Sequence, residues 1–462
     1  MKKTLLLSVV ASTMIMAGGD IAPVEPVVVE PVAEVSGWEF GGQGVLYYQT
    51  RDVWGMGDLF DSANSIATAG VQVRAVNKDL FYGFGAGVEL SGISDLYLYD
   101  DVVTGLTQNA GNTFDPNDEG ILNSSAAFTQ AYLTYGIGNT SIKVGRQLLP
   151  KALSPFAFSE GWNVFKNSFE AALIVNSDIE NTTLVGAYVW RANGSLGNLN
   201  DFTDLSAVGG AAMAEDGVWM LTAQNKSIDK LTLTGTWYMA PDMVVGAADA
   251  NVLWGDAKYG FGEDMYGLVL GVQGGIVMTD EPLIDLGQNE AGEDMFLQVN
   301  DTTAWGVKIG GNFDLFDASI AYSSVDDGRV NIENLGTNVK TPLYTQMIFN
   351  QNTIKRDSDT VVVRAGIKGL GGKFGIAYGY SDLGDTAKAA VTGKAGGAGE
   401  YSELDLTYKV KVWNDSTTLF AGYVYQDDDR MDGLAITDDE GNVLDTFDGT
   451  QNMVRLWGRY NF

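Results

Sequence analysis

The stretch "ELDLTYKVKV" (403–412) alternates without a break: Leu404, Leu406, Tyr408 and Val410 share one side, and Glu403, Asp405, Thr407 and Lys409 the other. Period two over ten residues describes an extended strand with one apolar face. Two carboxylates and a lysine on the opposite face require water or charged partners there. A soluble sheet and a membrane barrel both offer that combination, so the surrounding pattern decides between them.

The same division recurs along the chain. In "WEFGGQGVLYYQTRD" (38–52), Trp38, Phe40, Leu46 and Tyr48 oppose Glu39, Gln43, Tyr47, Gln49 and Arg51. "VQVRAV" sets Val71 and Val73 against Gln72 and Arg74, and "TVVVRAGIK" sets Val361, Val363 and Ile367 against Arg364 and Lys368. Eighteen such segments can be marked between residues 37 and 462, an even number. Short turn-type sequences such as "NKDL" (77–80), "IGNT", "GLGG" and "NDS" alternate with long connections, among them 149–168, 240–248, 278–301, 326–357 and 427–450. All long connections then fall at one end. A transmembrane antiparallel β-barrel of about 18 strands, with short periplasmic turns and long extracellular loops, has this layout; a β-sandwich has no reason for it. Closure requires the last strand to pair with the first, because an open edge is too costly in hydrocarbon.

Composition agrees. The chain has 58 Gly, 9 Pro, no Cys and no His in 462 residues, with a formal charge of −31. That charge argues against nucleic-acid binding, and the missing His and Cys exclude the commonest nucleophilic triads and thiol or imidazole metal sites. No cofactor and no enzymatic activity are expected. The opening "MKKTLLLSVVASTMIMA" (1–17) reads as a secretory signal peptide, and 18–36, with Pro23, Pro26 and Pro31 among Val and Glu, as an extended periplasmic leader. The barrel domain is 37–462.

Charged residues on the wet face are the candidate site. Arg51, Arg74, Arg455 and Arg459 lie on the first two strands and the last, so closure makes them neighbours; Arg364, Lys409, Lys308 and Lys368 extend this basic wall, opposed by Glu39, Glu89, Glu403 and Asp405. Such residues either orient solutes in a pore or pair with one another and stiffen the wall. The third long loop, "LPKALSPFAFSEGWNVFKNSF" (149–169), is aromatic and not acidic, and it is expected to fold inward as a constriction loop with Lys151, Glu160 and Lys166 at the narrowing; packing on top of the barrel or onto a neighbouring subunit is the competing expectation. The other long loops hold most of the excess acid and suit cation-mediated contact with lipopolysaccharide.

The Pro/Val/Glu leader, "KVGRQ" (143–147), "SDIENTTLVGAYVW" (177–190) and the terminal "WGRYNF" together resemble the Opr-type outer-membrane porins of Campylobacterota, of the campylobacter major outer-membrane porin type. The resemblance implies an 18-stranded barrel, often a homotrimer, with an inward third loop and passive uptake of small polar solutes and ions. It offers Lys143 and Arg146 as pore-side candidates, although alternation puts Arg146 in phase with the apolar Val144. The final Phe462 is similar to the signal read by the outer-membrane assembly machinery. A structural or adhesive barrel with a plugged lumen is the alternative to a water-filled channel.

Overall fold

The computed structural model describes residues 37–52, 57–96, 98, 102–103, 124–194, 199, 202–206, 213–214, 217–244, 248–280, 283–288, 294–387, 398–437 and 443–462. The stretches read as a signal peptide (1–17) and a leader (18–36) lie outside the described residues, as does most of the connection between β3 and β4.

Eighteen strands form one closed antiparallel barrel. In chain order they are β1 (Glu39–Arg51), β2 (Ser65–Phe81), β3 (Phe84–Ser94), β4 (Ser124–Ile137), β5 (Thr140–Gln147), β6 (Phe169–Asn176), β7 (Thr182–Ala192), β8 (Val218–Asn225) and β9 (Leu231–Val244). They continue as β10 (Ala248–Gly260), β11 (Val269–Thr279), β12 (Thr302–Phe313), β13 (Phe316–Val325), β14 (Ser358–Gly369), β15 (Gly372–Leu383), β16 (Gly399–Val412), β17 (Thr417–Asp428) and β18 (Thr450–Asn461). Each pairs with its sequence neighbours, and β18 returns to β1 with Gln43 opposite Asn461 and Arg51 opposite Met453. The backbones of Gly42 and Phe462 exchange hydrogen bonds of 2.8 and 3.1 Å, which carries the seam to the last residue. Any side chain at position 42 would strike the Phe462 ring, so glycine is what lets that ring lie across the seam.

Alternation in the sequence becomes alternation of environment. On β16, Glu403 and Asp405 are fully buried while Leu406 is exposed; on β18, Arg455 and Trp457 are buried while Leu456 is exposed. Exposed Leu46, Val73, Leu133, Leu221, Leu253, Ile320, Val363 and Leu419 continue an apolar band around the outside. Water would not tolerate a patch of that extent, and hydrocarbon favours it. Aromatic clusters border the band at both ends: Phe81, Phe84 and Tyr135 near the short turns, and Tyr188, Trp190 and Trp219 near the long loops. No helix among the described residues is long and apolar enough to cross a membrane.

Two connections differ from the sequence reading. The expected turn "NKDL" belongs to β2, which runs irregularly to Phe81, and the chain reverses instead at Tyr82–Gly83, both with positive φ. That is the backbone form that matches strand twist in a two-residue hairpin. Part of the expected long connection 240–248 is strand, because β9 continues past a register shift between Ala240 and Val244, and β10 already begins at Ala248. Pro241 removes a ladder donor there, and the shift absorbs it without ending the strand.

Candidate functional site

The third long loop (148–168) enters the lumen. Phe156 sits edge-on to Tyr238 of β9 and Trp254 of β10, with ring centroids 5.8 and 5.3 Å away, and its amide donates to the Tyr238 hydroxyl at 3.1 Å. Val164 and Phe165 reach the opposite wall, where they pack with Val45, Tyr47, Ile93 and Trp457. Gly70 leaves the space that the Phe165 ring fills. A loop leaving β5 that touches β9 and β10 as well as β18, β1 and β2 can only cross the barrel interior.

A second loop, the seventh long connection (326–357), also folds inward. Ile332, Leu335, Leu343 and Ile354 are buried in one core with Leu149 and Phe156 of the third loop and with inward residues from β6 through β13. Met347 packs on Val362 and Ala377, and Ile348 on Val424 and Met453. Wall charges hold its backbone: the Phe349 amide donates to Glu403 Oε1 at 2.9 Å, the Ile348 amide lies 3.4 Å from Asp405 Oδ2, and Arg364 Nη2 donates to the Gln346 carbonyl at 2.8 Å. The Tyr344 hydroxyl donates to Asp256 at 2.5 Å. Sequence reasoning placed this segment among the long outer loops. Its signal was available: Ile332, Leu335, Leu343, Met347, Ile348, Phe349 and Ile354 are large and apolar, and over 326–357 four acidic residues are balanced by four basic ones.

The two loops meet at Glu160, which is 2% exposed. Its Oε1 accepts from Asn334 Nδ2 at 2.7 Å, Thr337 Oγ1 at 2.5 Å and the Lys340 amide at 3.0 Å; its Oε2 accepts from Trp162 Nε1 at 2.8 Å. Burial pushes this carboxyl above its usual range, against the lowering effect of those donors and of Lys340. The Lys340 ammonium donates to the carbonyls of Met347 and Ile348 at 3.1 and 2.7 Å and to Gln351 at 3.2 Å, and burial brings its pKa down to about 8. Lys151 Nζ donates to the Thr341 carbonyl at 2.8 Å, a further tie between the loops. Lys166 is half-buried at the far end of the third loop.

The wall residues separate by depth. Arg51 is exposed at the long-loop end, and Arg74 is exposed toward the short-turn end, beside Gly41. Between them, Arg455 is 3% exposed, donates to Gln49 at 3.0 Å and lies 5.3 Å from the Phe349 ring centre. Arg459 donates to Gln43 and, at 2.9 Å, to the Val164 carbonyl. Their register levels on the β18–β1–β2 seam make a vertical line, with Arg455 and Arg459 four residues apart, about 13 Å. Lys409 stands 5.8 Å from the Trp457 ring centre. Lys308 lies within electrostatic range of Arg364, Lys258 and Lys151, so a second basic group stands on the other wall. Lys368 is exposed close to the β14–β15 turn.

Of the acidic candidates, Glu39 pairs with Lys78 at 3.7 Å in an exposed position. Glu89 accepts from Gln72 at 3.1 Å and Thr129 at 2.9 Å. Glu403 accepts from the Tyr401 hydroxyl at 2.6 Å besides holding Phe349. Lys143 faces inward, 3.7 Å from the Tyr132 ring centre. Arg146 points outward, paired with Glu170 at 2.8 Å, so of the two positions offered by the resemblance only Lys143 faces the lumen. No group of three potential metal ligands occurs among the described residues.

Barrels of this class are known. The chain is similar to Acinetobacter baumannii OccAB2 (TM-score 0.66, 14% identity, 92% of this chain and 98% of that one). It is similar to Pseudomonas aeruginosa OccK8 (OprE) (0.64, 13%, 92% and 98%) and to Pseudomonas aeruginosa OpdK solved with vanillate (0.65, 14%, 92% and 98%). At these identities the likeness establishes the fold. No protein-family model and no curated protein matches the sequence.

Proposed function

We propose that the protein is an outer-membrane porin, a non-enzymatic channel for passive diffusion of ions and small hydrophilic solutes. One observation carries this reading: a closed barrel with an apolar exterior holds charged side chains and two folded loops inside, where a solute would have to pass between them. The porin fold of its structural neighbours supports it. Basic groups stand on both walls, with Lys258, Lys308 and Arg364 on one, Lys151 of the third loop within their electrostatic range, and Arg74, Arg459 and Lys409 on the other. This arrangement favours small anions inside, while the acidic outer loops concentrate cations at the mouth. That OpdK was solved with vanillate fits the same preference.

Purified protein in a planar bilayer under a salt gradient tests both parts at once. Discrete conductance steps with a reversal potential on the anion side are expected. Absence of steps means a plugged structural or adhesive barrel. The Campylobacterota-type assignment rests on the Pro/Val/Glu leader, "KVGRQ", "SDIENTTLVGAYVW" and "WGRYNF"; a homotrimer belongs to that assignment, while lipopolysaccharide contact follows from the acidic loops and recognition by the assembly machinery from the terminal Phe462.

A further inference from the structure

We propose that Glu160 is a latch joining the third and seventh long loops, so that the two loops form one constriction unit and release of the latch opens the 334–340 turn of the seventh loop into the lumen. The proposal rests on the channel reading only for its electrical consequence.

The geometry concentrates the junction on few atoms. Residues 334–340 of the seventh loop curl around one carboxylate: the Asn334 amide bonds to the Lys340 carbonyl at 2.7 Å, and the Asn338 amide to the Asn334 carbonyl at 2.7 Å, with Asn338 at φ 54°. That turn aims the Asn334 side chain, the Thr337 hydroxyl and the Lys340 amide at Glu160 Oε1. Asn334 also brackets Phe158, accepting from its amide at 3.1 Å and donating to its carbonyl at 2.8 Å. The third loop therefore supplies the anion that completes the turn of the seventh. A carboxylate accepts from all four donors, whereas an amide turns one donor group against them. The seventh loop leaves and rejoins the barrel at one narrow neck, where the Asp357 amide donates to the Asp326 carbonyl at 2.9 Å and Asp357 has φ 47°. The wall bonds at Gln346, Ile348 and Phe349 hold the tip beyond this turn, so opening the latch loosens the segment between the neck and the tip.

Trypsin reads the latch without any current. Lys340 is buried when the loops are docked, and cleavage after it requires the 334–340 turn to open. Glu160→Gln is expected to speed cleavage after Lys340 at least tenfold in folded barrels, checked by unchanged heat-modifiable gel mobility, and to add brief conductance transitions. The chain has no cysteine, so a Phe158→Cys/Asn334→Cys pair is the only thiol pair present. Oxidation should suppress cleavage and transitions, and reduction should restore both. Cleavage of Glu160→Gln at the parental rate, or an oxidised pair that is still cut after Lys340, overturns the latch. A parental protein that carries no current but shows the expected cleavage pattern overturns the channel reading and leaves the latch standing.

Discussion

The third and seventh long loops reach the same lumen by different means. The third is seated by rings: Phe156 against Tyr238 and Trp254, and Phe165 in the space left by Gly70. The seventh has its own aliphatic core, but its tip is fixed by charged wall side chains gripping backbone groups at Gln346, Ile348 and Phe349. Aromatic seating is visible in a sequence, because a ring-rich loop has no favourable place in water. Seating by wall charge is not, because it depends on which strand register brings Arg364, Glu403 and Asp405 opposite a distant segment. Residues that look like solute contacts in a strand thus act in the structure as anchors for a loop.

The largest expected effect comes from removing the ring that both loops share. Phe156→Ala should cost about 3–5 kcal/mol of loop docking, the usual range for truncating a fully buried phenylalanine. Tyr238 and Trp254 would lose their ring partner, and the core that the third loop shares with Ile332, Leu335 and Leu343 would lose a fully buried side chain, so cleavage after Lys340 should rise although the substitution lies in the other loop. Unchanged protection of Lys340 would mean that the loops dock independently.

The seventh loop should also respond to alkali. Its Lys340 has a pKa of about 8 when docked, against 10.5 for the free side chain. Between those values the released loop binds a proton that the docked loop does not, so docking strengthens as pH rises from about 8 to 10.5, by about 3 kcal/mol in total. Glu160, Arg455, Glu403 and Asp405 face the ammonium. Spontaneous conductance transitions should become rarer from pH 7.5 to pH 10. Lys340→Met should abolish that trend, and a trend of opposite sign would show that the ammonium stabilises the docked loop.

Glu403→Gln tests the charge-based seating directly. A neutral amide oxygen still accepts from the Phe349 amide but more weakly, and its new N–H group is crowded by the Tyr401 hydroxyl. A loss of about 1–3 kcal/mol follows from one impaired buried hydrogen-bonding group. The third loop, seated by its rings on Tyr238, Trp254 and the β18–β3 wall, should keep its own protection, so Lys151 and Lys166 should remain as resistant to trypsin as in the parent. Equal loosening of both loops would dissolve the contrast between ring seating and charge seating.

Much of the barrel was legible because its physics is local. Ten residues such as 403–412 declare their two faces, and the return of the terminal strand to β1 follows from the cost of an open edge. The turn at Tyr82–Gly83 and the continuation of β9 through Pro241 to Val244 were not legible, since each depends on whether a strand continues through a poor residue. In the site, Glu160 was found through the aromatic loop that carries it. Its partners Asn334, Thr337 and Lys340 lie about 175 residues away in sequence, and nothing local in either segment announces the other.

The smallest effect separates two arginines that the sequence treats alike. Arg455 and Arg51 face the same interior, but Arg455 is covered by Phe349 and bonded to Gln49, whereas Arg51 stands in solvent. A buried charge acts on a passing ion through less water, so its influence per unit distance is greater, yet its cover keeps the ion farther away. At physiological salt, exposed Arg51 is screened beyond about 8 Å. Arg455→Gln should therefore move the reversal potential toward cations by a permeability ratio below about twofold, and Arg51→Gln by less. Arg364→Gln, at a site as buried as Arg455 and tied to the Gln346 carbonyl, should match Arg455→Gln and not exceed it. If Arg455→Gln gave the largest shift of the three, the ion path would run along the β18–β1 seam, and Phe349 would have to stand aside from it in the conducting state.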